Sequence, residues 1–308
     1  MGGRREIVMF QHYLLIMLST VIFGANFICT DLYRRERGTS VMISLQYSFV
    51  SCAASLLVFL AMNGFRFDCT PFIFIMGLLS ALVGFGFSIC SFKSLGIINL
   101  SLYSLFSMLG GMVLPFLQGI LFFGEPVTVA NLVAFVMIVI ALIITVERGG
   151  HKKGGTIYYI GVFVLNGMSG VMSKIVNVAP FDKGADPRIS YSVMSGFLSL
   201  LISGLLLLYF AEKHPEKLPK MSLRSNLICG ASGVANRLAN YILMIALLAV
   251  PSSVQYPMVT GGVMIVSTVA AFIMKTKPTK RELISVAIAF AALVVIVLPF
   301  LDIELFRI

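Results

Sequence analysis

Residues 129–146 read VANLVAFVMIVIALIITV, eighteen positions without a single charged side chain. An α-helix needs about 20 largely apolar residues, at 1.5 Å rise each, to cross the hydrocarbon core of a bilayer. The stretch decides the fold class because the chain repeats it in both directions. Upstream lie Met9–Tyr33, Ser40–Met62, Pro71–Phe92 and Asn99–Phe123; downstream lie Thr156–Val178, Ser190–Phe210, Asn226–Ala249, Ser253–Met274 and Arg281–Leu298. The breaks between them carry turn chemistry: Arg37-Gly38, Glu125-Pro126, Gly149-Gly150 and Lys277-Pro278. No gap is long enough to hold a soluble domain. Barrel strands are shorter and alternate polar with apolar residues, which these runs do not. The expected class is an all-α membrane protein with ten transmembrane helices.

Composition points the same way. Of 308 residues, 58% are hydrophobic and only 12% charged, and the mean hydropathy is +0.98. Soluble domains carry about 25% charged residues, so this chain lacks half the usual solvating surface. The lipid bilayer is the implied partner. A net charge of +10 would fit nucleic acid if it formed one basic face. Here the cations fall in short gaps, such as Arg34, Arg35 and Arg37, or Lys275, Lys277, Lys280 and Arg281. That is the placement of membrane-flanking loops beside anionic headgroups, and no nucleic-acid partner is expected.

Five cysteines form no zinc or redox motif, and His12, His151 and His214 are scattered. No Ser/His/Asp, HExxH or phosphate-loop pattern stands out, so neither an enzyme nor a metal or cofactor site is expected. The first apolar run follows Arg4 and Arg5, as a signal peptide would. It is too long for such a segment and lacks an A-x-A-like site after it, so it reads as a retained first helix.

The two halves, 1–150 and 151–308, look related. A shift of 151 sets Gly110-Gly111-Met112-Val113 on Gly261-Gly262-Val263-Met264, Ser101 on Ser252 and Thr128 on Thr279. A different offset pairs Phe23-Gly24-Ala25-Asn26 with Asn166-Gly167-Met168-Ser169. Five helices is an odd number, so related halves must enter the membrane in opposite directions. Inverted repeats of that kind are characteristic of secondary transporters, with the site between the halves. Each half resembles the EamA-type unit of the drug/metabolite transporter superfamily. The resemblance rests on Leu114-Pro115 through Phe123-Gly124-Glu125-Pro126-Val127-Thr128, and on Val250-Pro251-Ser252-Ser253-Val254-Gln255-Tyr256-Pro257 through Lys277-Pro278-Thr279. Gly24-Ala25-Asn26 stands where that family often has a Trp-Gly pair, but this chain contains no Trp, and Thr276 replaces a frequent Glu. The resemblance covers essentially the whole chain and implies a carrier fold without naming a solute.

Helices 5 and 10 are nearly devoid of polar groups, with Ser285 the one deep exception, so they should face lipid or a second copy of the chain. The other eight should form the pathway. Arg237 is the sharpest feature, near the middle of helix 8 and about eleven residues from either end. A central Arg costs about 2.5–3.5 kcal/mol on insertion scales and normally faces a cavity or a partner. Gly233, Asn240 and Tyr241 lie near it at helical spacing, with Asn236 beside it. The alternative role is a structural bond to carbonyls of a neighbouring helix.

Further candidates for contact with a small-molecule substrate are Asn26, Gln46, Asn166, Lys174, Tyr103 and Tyr256. Deep amides more often join helices, a Tyr near a helix end often belongs to the aromatic belt, and Lys174 is placed to snorkel to the interface. Asp31 and Glu125 are the acids closest to membrane segments, and both lie near helix ends, so no deep carboxylate is expected. That argues against a proton-coupled exporter of cationic compounds and for an anionic or zwitterionic metabolite crossing the cell membrane. The rivals are such an exporter or a non-transporting membrane protein.

Overall fold

A computed structural model of the chain describes residues 2–38, 40–95, 100–145, 156–179, 186–213, 221–273 and 279–297. The Gly149-Gly150 and Lys277-Pro278 breaks, and Thr276, lie outside the described residues. Within them the chain forms ten α-helices: α1 Gly2–Arg37, α2 Val41–Met62, α3 Pro71–Leu95, α4 Leu100–Phe123, α5 Val129–Thr145, α6 Thr156–Val178, α7 Pro187–Lys213, α8 Leu223–Ala246, α9 Ser252–Ile273 and α10 Lys280–Val297. Each expected apolar run has its helix. α1 and α7 reach several residues beyond the apolar runs, because turn chemistry rather than hydropathy ends a helix.

Helix starts are fixed by hydroxyl caps. The Oγ of Ser40, Thr70, Thr128 and Ser222 accepts the backbone N–H three residues on, at Ile43, Ile73, Asn131 and Ser225, over 3.1–3.3 Å. Each such cap is worth about 1 kcal/mol and satisfies a donor that lipid cannot.

Among the described residues, six helices are able to span a membrane by length and composition alone, in α1, α2, α3, α4, α6 and α7. The protein is therefore a multi-pass helical membrane protein. α5 and α10 are shorter apolar helices. Arg224, Asn226, Asn236, Arg237 and Asn240 lower the hydropathy of α8, and Ser252, Ser253, Gln255 and Thr260 lower that of α9.

The packing runs largely between the two halves. α1 lies on α8 and α9, α6 on α3 and α4, α2 on α7 and α8, α3 on α7, and α5 on α10. α9 also touches α4 and α10. Helices 5 and 10 do not simply face lipid. Ala134, Ile138 and Ala141 of α5 and Ala289, Ala292 and Ile296 of α10 are fully buried in one apolar cluster. Ser285, the one deep hydroxyl, donates to the Ala141 carbonyl at 2.5 Å. Only the opposite faces are open, at Leu132, Val136 and Ile140 and at Leu283, Phe290 and Val294. Ile140→Ala and Phe290→Ala should therefore stay within about 0.5 kcal/mol of wild type. Ala141→Leu or Ala289→Leu should cost about 1–3 kcal/mol by overpacking. Equal melting shifts across the two sets would refute this pairing of α5 with α10.

Candidate functional site

α8 carries the most unusual side chains, and its placement starts at Gly233. A Cβ there would collide with backbone and side-chain atoms of Ser51, so α8 and α2 run in contact at that level. One turn on, the Arg237 guanidinium is directed at α7. Nη1 donates to Ser195 Oγ at 2.9 Å and to the Ser192 carbonyl at 3.3 Å, and Nη2 to Ser199 Oγ at 3.4 Å. The guanidinium packs over Gly196 of the same helix, α7, where a Cβ would lie in ordinary contact, 3.6 Å from Cζ. These acceptors are all neutral, and among the described residues no carboxylate forms an ion pair with Arg237. The guanidinium presents five donors in a planar fork, and neutral acceptors leave its charge uncompensated.

Asn236 and Asn240 continue the polar stripe. Asn236 is exposed, and Asn240 donates through Nδ2 to the Asn236 carbonyl at 2.8 Å. At 100° per residue, Asn240 lies half a turn around α8 from exposed Ala231 and not far short of that from exposed Leu227. The stripe thus sits between the line that meets α1 (Ser19 Oγ donates to the Ala239 carbonyl, 2.9 Å) and the line that meets α2. Asn236 is thus exposed on the side of α8 that lies between its contacts with α1 and α2.

Tyr241 caps the arrangement. Its ring packs edge-on against Phe59 at 5.6 Å, and its hydroxyl meets Asp186. Tyr241 and Ile189 line a cavity of about 400 Å³ together with Met62, Asn63, Gly64, Arg66, Asp68 and Asp186. Asp186 is also held by Arg188 at 2.7 and 3.0 Å. Arg237 lies one turn before Tyr241 on α8, and its acceptor Ser192 one turn after Ile189 on α7. The guanidinium is therefore the next polar layer beneath the cavity.

The remaining candidates are spread over other contacts. Asn26 accepts from Ser232 Oγ at 2.6 Å, in a cluster with Thr30 and Tyr47 that ties α1, α2 and α8. Asn166 donates to the Ser107 carbonyl at 2.6 Å, tying α6 to α4. Tyr256 donates to the Gly170 carbonyl at 3.2 Å, tying α9 to α6. Gln46 is buried in α2. The side chain of Tyr103 lies outside the described residues.

Two expectations need correction. Lys174 does not snorkel: it is 7% exposed, and its Nζ sits 2.5 Å from Glu125 Oε1 and 5.6 Å from the centre of the Phe123 ring. Nor does Glu125 sit at a wet helix end. Its side chain is 9% exposed, and Oε2 accepts the Ser253 N–H at 3.2 Å. A buried carboxylate is present after all. The cause is local: Gly124 takes φ +59°, reversing the chain after α4, and Gly119 leaves space that a Cβ would take from the carboxylate.

Sequence reasoning missed the serines of α7. Ser192, Ser195 and Ser199 lie on one face at i, i+3 and i+7, a usable signal once an unpaired Arg needs acceptors. No family model matches the chain, and no curated protein matches its sequence. Among solved structures, one described only as the crystal structure of a protein has a TM-score of 0.64 and 16% identity. That match covers 92% of this chain and 97% of the other, and it speaks for the fold alone.

Proposed function

We propose that the protein is a secondary carrier that moves a small anionic or zwitterionic metabolite across the cell membrane by alternating access. Its ten helices would all cross the bilayer, as two inverted five-helix repeats. The observation that carries this reading is Arg237, a cation deep in α8 that meets only neutral acceptors and adjoins an exposed polar stripe. The missing counter-charge would arrive with the solute. An inverted repeat is supported by the neighbour pattern. Exchanging each helix for the one five places on turns α1–α8 into α6–α3, α1–α9 into α6–α4 and α2–α8 into α7–α3, all contacts that occur. The 151-residue shift also carries the Leu132 N–H to Thr128 carbonyl bond onto that from Leu283 to Thr279.

A carrier of cationic compounds needs a buried carboxylate free to bind them. Glu125 is committed to Lys174, so the anionic reading is preferred. A thermal-shift screen of purified protein against amino acids, nucleosides, organic acids, phosphorylated sugars and amines identifies the solute class. Flux of a hit into proteoliposomes without its chemical turnover then separates a carrier from an enzyme. If quaternary ammonium compounds alone stabilise the protein, this reading fails.

Orientation follows from charge. The loops after odd-numbered helices hold Arg and Lys over the other side by about two to one, which places them in the cytoplasm and both chain ends outside. The resembled superfamily usually has both ends inside, so charge and resemblance disagree, and we follow charge. Lys152→Cys should resist an impermeant thiol reagent in whole cells. Ready labelling there would reverse the topology.

A further inference from the structure

The Lys174–Glu125 pair has a role that Arg237 does not cover. It is an ion pair that joins residues 1–150 to residues 151–308, whereas Arg188–Asp186 is local. Glu125 stands in the turn after α4, Lys174 near the end of α6, and the second carboxylate oxygen holds the first turn of α9. Ser252 and Ser253 beside it are fully buried, and their hydroxyls lack hydrogen-bond partners. The same holds for the side-chain carbonyl oxygens of Gln118 and Gln255, on the adjoining turns of α4 and α9. Buried polar atoms without a protein partner are the ones that water can satisfy.

We propose that Lys174 and Glu125 form a gate, closed in this structure, on the membrane side where α4 and α6 end and α9 begins. The proposal rests on the carrier reading above. Alternating access moves one half against the other, and this pair bridges them at one mouth. An ammonium and a carboxylate suit the task. Closed, they compensate each other in a dry site; opened, each is hydrated, so parting them is far less costly than deleting one partner. The bond is also not a general support of the repeat. The two sequence offsets bring Asp31 and Thr276 to the places of Lys174 and Glu125, an acid and a hydroxyl, side chains of the wrong chemistry for an ion pair.

The test needs no solute. Ser252→Cys serves as reporter in full-length protein in nanodiscs, exposed to an impermeant maleimide, with modification read at position 252 by mass spectrometry. Labelling should be slow in the otherwise unchanged protein and with Lys174→Arg. It should rise at least tenfold with Glu125→Gln, an isosteric change, and with Glu125→Gln/Lys174→Met, which leaves no unpaired charge. Unchanged labelling in either of these two variants, when folded, overturns the gate. So does labelling at position 252 as fast as at the exposed Cys69 before any change, and so does unfolding of both the single and the double variant, which would make the pair a structural support. Absence of solute flux with the labelling pattern as expected would instead count against the carrier reading.

Discussion

Arg237→Gln should abolish solute binding and leave a folded, insertable protein. The two roles open to Arg237 differ in what the mutation removes. As a structural tie it contributes three hydrogen bonds to α7. Those acceptors have local alternatives: Ser195 Oγ already donates to the Ser192 carbonyl at 3.2 Å, and Ser199 belongs to a helix rich in such back-bonds. If α8 crosses the bilayer as proposed, the mutation also removes the burden of a charge at mid-membrane. Stability should therefore move by about 1 kcal/mol, the net worth of ordinary hydrogen bonds. As a solute anchor, Arg237 supplies a charge-assisted bond worth about 1.5–3 kcal/mol, or about 10- to 150-fold in affinity. The solute's own charge, desolvated and unmatched, adds to the loss. Arg237→Lys keeps the charge without the planar fork and should fall between. Melting temperature and affinity for a screened solute are measured on the same preparation. Affinity unchanged in well-folded Arg237→Gln would sink the anchor, whereas collapse of the melting temperature would assign Arg237 to structure.

The fold was largely legible because lipid permits so few spanning structures. Eighteen uncharged and mostly apolar residues at 129–146 leave little but a helix, and Thr128 and Ser40 mark helix starts by residue type alone. The site was legible only in part. Arg237 announced itself by its cost, since a guanidinium in the middle of a helix expected to cross the bilayer needs an explanation wherever that helix packs. The serines that receive it did not, because serine is common in apolar helices and becomes informative only when α7 is known to face α8. Lys174 and Glu125 failed for a different reason. Each reads singly as an end-of-helix charge with water in reach. Their pairing needs two facts absent from local pattern: that α4 and α6 pack together, and that Gly124 turns Glu125 back toward them. The ends of α4 and α6 share a membrane side in any alternating topology, so opposite charges at both ends were a hint available from helix count alone.

Gly110→Ala should destabilise the protein by about 2–3 kcal/mol, the upper range for overpacking, while Gly261→Ala should be nearly neutral. The sequence presents the two as equivalent, each the first glycine of a pair related by the 151-residue shift. Their surroundings differ. A Cβ on Gly110 would fall against the Phe163 carbonyl, with the carbonyl carbon 2.6 Å and the Cα 2.8 Å away. All of these are backbone atoms of α6, so the only relief is to push two helices apart, and the Gly110 carbonyl itself lies 2.5 Å from the site of a Cβ on Gly167. At Gly261 the nearest atom is the end of the Leu293 side chain at 3.3 Å, which yields by a few tenths of an ångström. Ala is also the better helix former there, by up to about 1 kcal/mol. Gly262 bears the close contact of the second pair, but against a side chain: its Cβ would lie 2.5 Å from Thr20 Cγ2. Thr20→Ser removes that methyl group and keeps the hydroxyl that bonds the Ile16 carbonyl, so it should restore much of the stability lost in Gly262→Ala. No side-chain change at Phe163 should rescue Gly110→Ala, because the obstacle is main chain. Thermal unfolding of the two double variants beside their parents measures the difference. Rescue of Gly110→Ala by Phe163→Ala, or a Gly110→Ala protein as stable as the original, would mean that α4 and α6 do not meet backbone to backbone.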